Sequence, residues 1–150
     1  MMRSVLVVLL TGCLLLAGGC GGAKSVPEAL PSSLASAAPL LNSVSAAVPG
    51  LSQAQAILGA GSIFGLAKAK MPGEQYSAVS GAVPGADALA SEAVAKGLPS
   101  NVAGMADVTK FLKKSGLSAE QVGKLIPAIG NEVKSKVSPE VANAFMAAIS

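Results

Sequence analysis

Two segments of this chain share a helix-start signal and a run of matching residues, with the second copy 66 positions after the first. The first reads LSQAQAILGAGSIFGLAKAKM from Leu51 to Met71, and the second reads LSAEQVGKLIPAIGNEVKSKV from Leu117 to Val137. In each, a serine is followed three positions later by a glutamine, a spacing that satisfies two backbone N–H groups at a helix start. The matching pairs include Leu51/Leu117, Ser52/Ser118, Gln55/Gln121, Ile63/Ile129, Lys68/Lys134 and Lys70/Lys136. We therefore expect two copies of one helix–turn–helix unit.

Prolines and glycines divide the remaining chain into shorter segments in which apolar residues recur at helical spacing. Gly61 in the first long helix corresponds to Pro127 in the second, so both helices are weakened at the same position. The sequence predicts an all-α fold, a small bundle of about six to seven short-to-medium helices. Within it we expect two related units, at about 40–97 and 105–150.

Alanine supplies much of the apolar fraction of the chain, which also contains 17 glycines. Apolar residues make up 51% of the sequence, whereas aromatic residues make up only 3%. Such small side chains favour helices that pack at close range. The single arginine, Arg3, precedes the apolar N-terminal run, so the rest of the chain has no guanidinium for bidentate recognition of phosphates or bases. We therefore expect no role in nucleic-acid binding.

The N-terminal segment has the pattern of a bacterial export signal. Its apolar run, Val5 to Leu16, is shorter than the ~20 residues of a transmembrane helix. The run leads into LLLAGGC, which resembles the lipobox of bacterial lipoproteins, where a cysteine is acylated and becomes the mature N-terminus. We expect acylation at Cys20. A second lipobox ending at Cys13 is the alternative, and an ordinary leader with both cysteines as bystanders or as a disulfide is a further one.

These patterns predict three regions: a lipoprotein signal peptide at 1–19, a lipidated cysteine with a flexible tether at 20–26, and a helical domain at 27–150. No cysteine follows Cys20, so we expect neither a disulfide nor a redox centre in the domain. Gly21 after the cysteine favours the outer membrane, with the domain facing the periplasm. A periplasmic or secreted protein is the alternative.

The sequence is poor in residues that carry catalysis or bind metals. It contains no histidine, no GxxxxGK[ST] loop and no serine followed three positions later by lysine. We therefore expect no enzyme activity, no metal and no cofactor. The cluster Lys110, Lys113 and Lys114 is typical of a solvated helix end. Contact with anionic lipid or with polyanions is the functional alternative for these lysines.

Two segments carry a resemblance to a known family. LSQAQAILGAGSIFGLAKAKM…YSAVSGAVPGADAL, from Leu51 to Leu89, resembles a bacterial family of unknown function named VcgC/VcgE (domain of unknown function 2780). FLKKSGLSAEQVGKLIPAIGNEV…SPEVANAFMAAI, from Phe111 to Ile149, is similar to its C-terminal part, where a glycine precedes the second helix and a proline interrupts it. The resemblance covers roughly Leu51 to Ser150. It implies an export or lipoprotein leader, and it brings no activity or catalytic residue.

We therefore expect an exported, lipid-anchored helical domain that serves as a structural or protein-interaction module at the cell envelope. Its partners would be the membrane, through the anchor, and another protein. The alternative is a carrier that holds a lipid or other apolar ligand between its helices. An enclosed apolar pocket would favour the carrier, whereas a filled core with an exposed apolar patch would favour the interaction module. The residues expected to line such a pocket, or the core, are Ile57, Phe64, Leu125, Ile129 and Phe145.

Overall fold

The computed structural model describes residues 30–150. In this part of the chain a 3-10 helix, Ser32–Ala37, precedes seven α-helices. Their bounds are α1 (Ala38–Ala47), α2 (Gln53–Lys70), α3 (Gly73–Ala82), α4 (Ala86–Ala95), α5 (Met105–Lys114), α6 (Ala119–Lys136) and α7 (Pro139–Ala148). No strand occurs between residues 30 and 150, so the predicted all-α bundle of six to seven helices is confirmed.

The two long helices begin with the same reciprocal cap. Ser52 accepts a hydrogen bond from the backbone N–H of Gln55 at 3.2 Å, and its own N–H donates to the Gln55 side chain at 3.0 Å. Ser118 and Gln121 make the same two bonds at 3.1 and 2.9 Å. Each cap satisfies two of the N–H groups that a helix start leaves without an intrahelical partner, which fixes where α2 and α6 begin.

Helix α2 occupies the centre of the bundle and contacts each of the other six α-helices. Its most extensive partner is α4, which packs closely against it because α2 presents glycine there. A Cβ at Gly61 would collide with the carbonyl oxygen of Leu89 on α4. Gly61 therefore sets the distance between these two helices.

The helices form two units, α1–α3 (the first unit) and α5–α7 (the second unit), which pack on each other reciprocally. Helix α1 packs on α6, and its counterpart α5 packs on α2. Likewise α3 contacts α6 while α7 contacts α2, and α3 and α7 contact each other. The pattern of neighbours is unchanged when the two units are exchanged. Helix α4 lies between the units in sequence and has no counterpart within residues 30–150.

The absence of a counterpart to α4 explains why α6 tolerates a proline beyond its first turn, which no other α-helix between residues 30 and 150 contains. Pro127 of α6 stands where α2 has Gly61, yet α6 runs without a break from Ala119 to Lys136. Pro127 is exposed because no helix covers that face of α6 in the way that α4 covers α2. The buried face of α6, by contrast, is apolar, with Leu125, Ile129 and Val133 fully buried.

Candidate functional site

Four of the five residues expected to line a ligand pocket lie in the filled core. Phe64, Leu125, Ile129 and Phe145 have no exposed surface. The rings of Phe64 and Phe145 are tilted against each other with their centroids 5.8 Å apart, within the range of a favourable aromatic pair. The side chain of Leu125 fills the space left by Gly59 of α2. These four residues therefore serve as core.

The fifth residue, Ile57, is half-buried and lies at a surface cleft. The cleft has a volume of about 210 Å³ and lies between the N-terminal end of α2, the C-terminal end of α4 and the first described residues. We call it the Leu30 cleft; it is lined by Leu30, Pro31, Gln53, Ala54, Ile57, Leu58, Glu92 and Lys96. Its walls are apolar in the middle and polar at the α4 side, where Lys96 lies 3.8 Å from Glu92.

The starts of the two long helices are joined by a reciprocal pair of hydrogen bonds. The side-chain amide of Gln55 donates to the carbonyl oxygen of Gly116 at 3.0 Å, and that of Gln121 donates to the carbonyl oxygen of Gly50 at 3.3 Å. Both glycines adopt a positive φ, 88° at Gly116 and 78° at Gly50, which side-chain-bearing residues rarely adopt. We refer to this pair of bonds as the glutamine clasp and to this end of the bundle as the capped end.

The capped end also carries exposed lysines. Helix α5 runs towards it and ends with Lys113 and Lys114, both exposed. On α6, Lys124 lies 2.7 Å from Glu120, and this ammonium lowers the pKa of the Glu120 carboxyl. Within residues 30–150, no acidic group lies within 4.0 Å of Lys113 or Lys114. The capped end therefore combines paired and unpaired lysines on its surface.

A second polar cluster lies near the C-terminal end of α2. Lys68 forms an ion pair with Asp87 of α4 at 3.0 Å, and its ammonium lies 5.6 Å from the ring centroid of Tyr76 on α3. The Tyr76 hydroxyl is buried and has no hydrogen-bond partner among the described residues. Burial raises the pKa of Tyr76 above its usual value, and the nearby Asp87 carboxylate raises it further.

The sequence carried no signal for this cluster. Lys68 and Asp87 lie 19 positions apart on different helices, and only the packing of α4 on α2 brings them together. The pair is more than half exposed on both sides, so its contribution to stability is small. The cluster consists of a phenol without a hydrogen-bond partner among the described residues and a lysine paired with an aspartate. These groups do not indicate a particular reaction.

Three further observations bound the chemistry of the domain. Between residues 30 and 150, no three histidine, cysteine, aspartate or glutamate side chains are grouped so that they could hold a metal ion. None of the helices in the same range combines the length and the apolar character that crossing a membrane requires. The predicted lipidation site, Cys20, and its alternative, Cys13, lie outside the described residues.

Comparison with known proteins places the chain in a family. The model of a family described as "Protein of unknown function VcgC/VcgE (DUF2780)" matches residues 20–150, which confirms the resemblance noted from the sequence. No curated protein and no solved structure shows a significant match. The matched range contains both units and the α4 helix between them. The chain therefore belongs to the VcgC/VcgE family of proteins of unknown function.

Proposed function

We propose that this chain is an exported lipoprotein whose helical domain acts as a structural or protein-interaction module at the cell envelope. The observation that carries the proposal is the N-terminal pattern, an apolar run from Val5 to Leu16 followed by LLLAGGC. Acylation of Cys20 would attach the protein to the outer membrane with the domain in the periplasm. Two or more acyl chains give stable attachment, since each buried methylene contributes about 0.8 kcal/mol.

The packing of the domain supports an interaction module over a carrier. The centre of the bundle, where an apolar ligand would lie, is occupied by the rings of Phe64 and Phe145. A domain with such a core acts through its surface. The exposed apolar patch expected of such a module is not present among the described residues, where Val94, at 42%, is the large apolar side chain with the greatest exposure. A partner would therefore meet a mainly polar surface.

The carrier remains a second candidate because of the Leu30 cleft. Ile57 and Leu58 give this cleft an apolar wall. Its volume of about 210 Å³ lies below the roughly 300–1,000 Å³ that is usual for pockets that enclose a small molecule. The cleft suits part of an apolar chain better than a whole ligand, so we place the carrier second.

Metabolic labelling with a fatty acid tests the anchor. We expect the wild-type protein and a Cys13→Ala variant to incorporate the label, and a Cys20→Ala variant to lose it. The Cys13→Ala variant is the matched control, because it removes a cysteine from the same leader. A labelled Cys20→Ala protein would contradict the proposal.

Native mass spectrometry of the protein released gently from the envelope tests the role of the domain. For an interaction module we expect a complex with another protein, which chemical crosslinking in intact cells should also capture. A non-covalently bound lipid that stays with the protein, beyond the mass of the anchor, would favour the carrier instead.

A further inference from the structure

The described chain begins at the capped end of the bundle. Leu30 lines a cleft together with Gln53, at the start of α2, and Lys96, just after α4. Ten peptide steps separate Cys20 from Leu30, a contour that spans at most about 33–36 Å. An anchor at Cys20 would therefore hold the capped end within that distance of the membrane.

Three lysines on α5 point away from the bundle near this end. Lys110, Lys113 and Lys114 are all exposed, and their i, i+3, i+4 spacing places them on one face of the helix. The opposite side of α5 is held in the bundle by Val108 and Leu112, which are fully buried. The packing thus fixes the direction in which the three lysines project.

Among residues 30–150, the other charges near the capped end are already paired. Lys124 lies 2.7 Å from Glu120, and Lys96 lies 3.8 Å from Glu92. Each of these pairs contributes no net charge. The lysines of α5, which lie within 4.0 Å of no acidic group between residues 30 and 150, therefore set the net charge of this end, and it is positive.

The opposite end, where α2 and α6 stop and α3 and α7 start, has no excess of lysine among the described residues. Lys68 and Lys136 are paired with Asp87 and Glu132. Lys70 and Lys134 are matched in number by Glu74 and Glu140, and Asp107 in the first turn of α5 adds a further acidic group. The two ends lie about 27 Å apart along an 18-residue helix. That separation is several times the Debye length of ~8 Å, so a charged surface near one end hardly acts on the other.

We propose that the α5 face formed by Lys110, Lys113 and Lys114 binds the anionic phosphate headgroups of the membrane that carries the anchor. This proposal rests on the lipid anchor of the proposed function. Lysine suits this partner, because its ammonium is a point charge that pairs with mobile phosphates without the fixed geometry that arginine imposes. A lysine near an anionic surface changes partitioning by about fivefold, which supplies the second attachment that stabilises a lipid anchor.

The test uses the processed protein purified from membranes and reconstituted into vesicles, with its intact mass establishing whether it is acylated. The chain has no cysteine after Cys20, so one introduced cysteine gives a single labelling site on the acylated protein. Ala119→Cys at the capped end and Ser135→Cys at the opposite end place a dye at two exposed positions of α6, about 24 Å apart. Energy transfer to a headgroup-labelled lipid reports which end lies on the bilayer.

In vesicles that contain phosphatidylglycerol we expect strong transfer from position 119 and weak transfer from position 135. In phosphatidylcholine alone, or in ~1 M salt where the Debye length falls to ~3 Å, transfer from position 119 should drop towards that from position 135. Replacing the three α5 lysines with glutamine should have the same effect. A matched variant with Lys70, Lys134 and Lys136 replaced by glutamine should leave transfer unchanged.

Transfer from position 119 that is insensitive to lipid charge, to salt and to the α5 lysines would overturn the proposal. The wild-type salt series gives this answer even if the triple variant folds poorly. If the mass shows no acyl group, the proposed anchor is refuted. Binding of the same unacylated protein to the two kinds of vesicle is then measured by sedimentation instead of energy transfer. At least a tenfold preference for phosphatidylglycerol that disappears in the α5 variant would still support the lysine face, whereas no preference would refute it.

Discussion

The side chains of Gln55 and Gln121 each make two hydrogen bonds, one that caps their own helix and one to the other unit. The side-chain oxygen of each caps its own helix, while the side-chain nitrogen of Gln55 donates to Gly116 and that of Gln121 donates to Gly50. A glutamate at either position could cap the helix but could not donate. The clasp therefore explains why both copies of the cap use glutamine.

Removing either glutamine should destabilise the whole bundle. Gln55→Ala and Gln121→Ala each delete a cap bond and a clasp bond, and at about 0.5–1.5 kcal/mol for a bond the expected loss is about 1–3 kcal/mol per variant. Gln53→Ala on α2 is the matched control, because Gln53 makes no side-chain hydrogen bond to the described residues. Urea denaturation measures the three differences. Wild-type midpoints for both clasp variants would show that the clasp contributes nothing.

The contact between α2 and α4 predicts a strong contrast between two glycines. Gly61→Ala should destabilise the protein by about 2–3 kcal/mol, because the new Cβ would collide with the backbone of Leu89 and push α4 away. Gly123→Ala in the corresponding long helix should be neutral or stabilising by up to about 1 kcal/mol, since no atom outside the helix lies within 4 Å of that Cβ. Thermal unfolding followed by circular dichroism compares them. Equal melting temperatures would refute the close-packing interpretation.

Pro127 is expected to weaken α6 without any packing role. It is exposed and lies inside the helix, where proline removes one backbone hydrogen bond. Pro127→Ala should therefore raise the free energy of unfolding by about 1–3 kcal/mol. Denaturant titration of the two proteins measures the change. A less stable Pro127→Ala variant would mean that α6 depends on the proline for its shape.

The buried hydroxyl of Tyr76 predicts a pH-dependent difference. Tyr76→Phe removes a buried polar group that has no described partner, so near pH 7 the variant should be at least as stable as the wild type. Because the folded-state pKa of Tyr76 is raised, the wild type keeps its full stability below the unfolded pKa of about 10 and loses stability as pH rises above it. The Tyr76→Phe variant has no hydroxyl to ionise, so it does not lose stability in this way.

The measured quantity is the difference in unfolding free energy between Tyr76→Phe and the wild type from neutral to alkaline pH. It should grow by up to about 1.4 kcal/mol per pH unit above about pH 10. A constant difference across this range would show that the hydroxyl titrates normally in the folded protein.

The local structure of this chain could be predicted well from sequence, because its determinants are local. Ser52 with Gln55 marks the start of α2, and Pro139 in the first turn of α7 follows the Ser138 cap. Glycines and prolines mark where the helices end. The segment from Leu51 to Met71, in which the sequence predicts a long helix, contains the observed α2 (Gln53–Lys70).

The arrangement of the helices could not be predicted in the same way. Helix α1 packs on α6, and both α5 and α4 pack on α2. These arrangements depend on contacts between residues far apart in sequence. The Lys68–Asp87 pair follows from that packing alone. No periodicity within one helix carries information about these neighbours.

The same reason limits what the sequence revealed about a site. The sequence predicts that four large apolar residues either line a pocket or form the core: Phe64, Leu125, Ile129 and Phe145. Composition alone could not decide between these two roles. Glycines such as Gly59 can leave a cavity or let a neighbour fill the space, and here the Leu125 side chain fills it. Ile57 alone reaches a surface cleft.

The reciprocal placement of α1 on α6 and of α5 on α2 has a consequence for biosynthesis. Until the last fifty or so residues join the fold, one surface of α1 and one of α2 lack their neighbours. A nascent chain halted before α6 would expose apolar groups that invite chaperones or proteases. Truncating the C-terminus should for this reason yield degraded protein rather than a smaller stable domain.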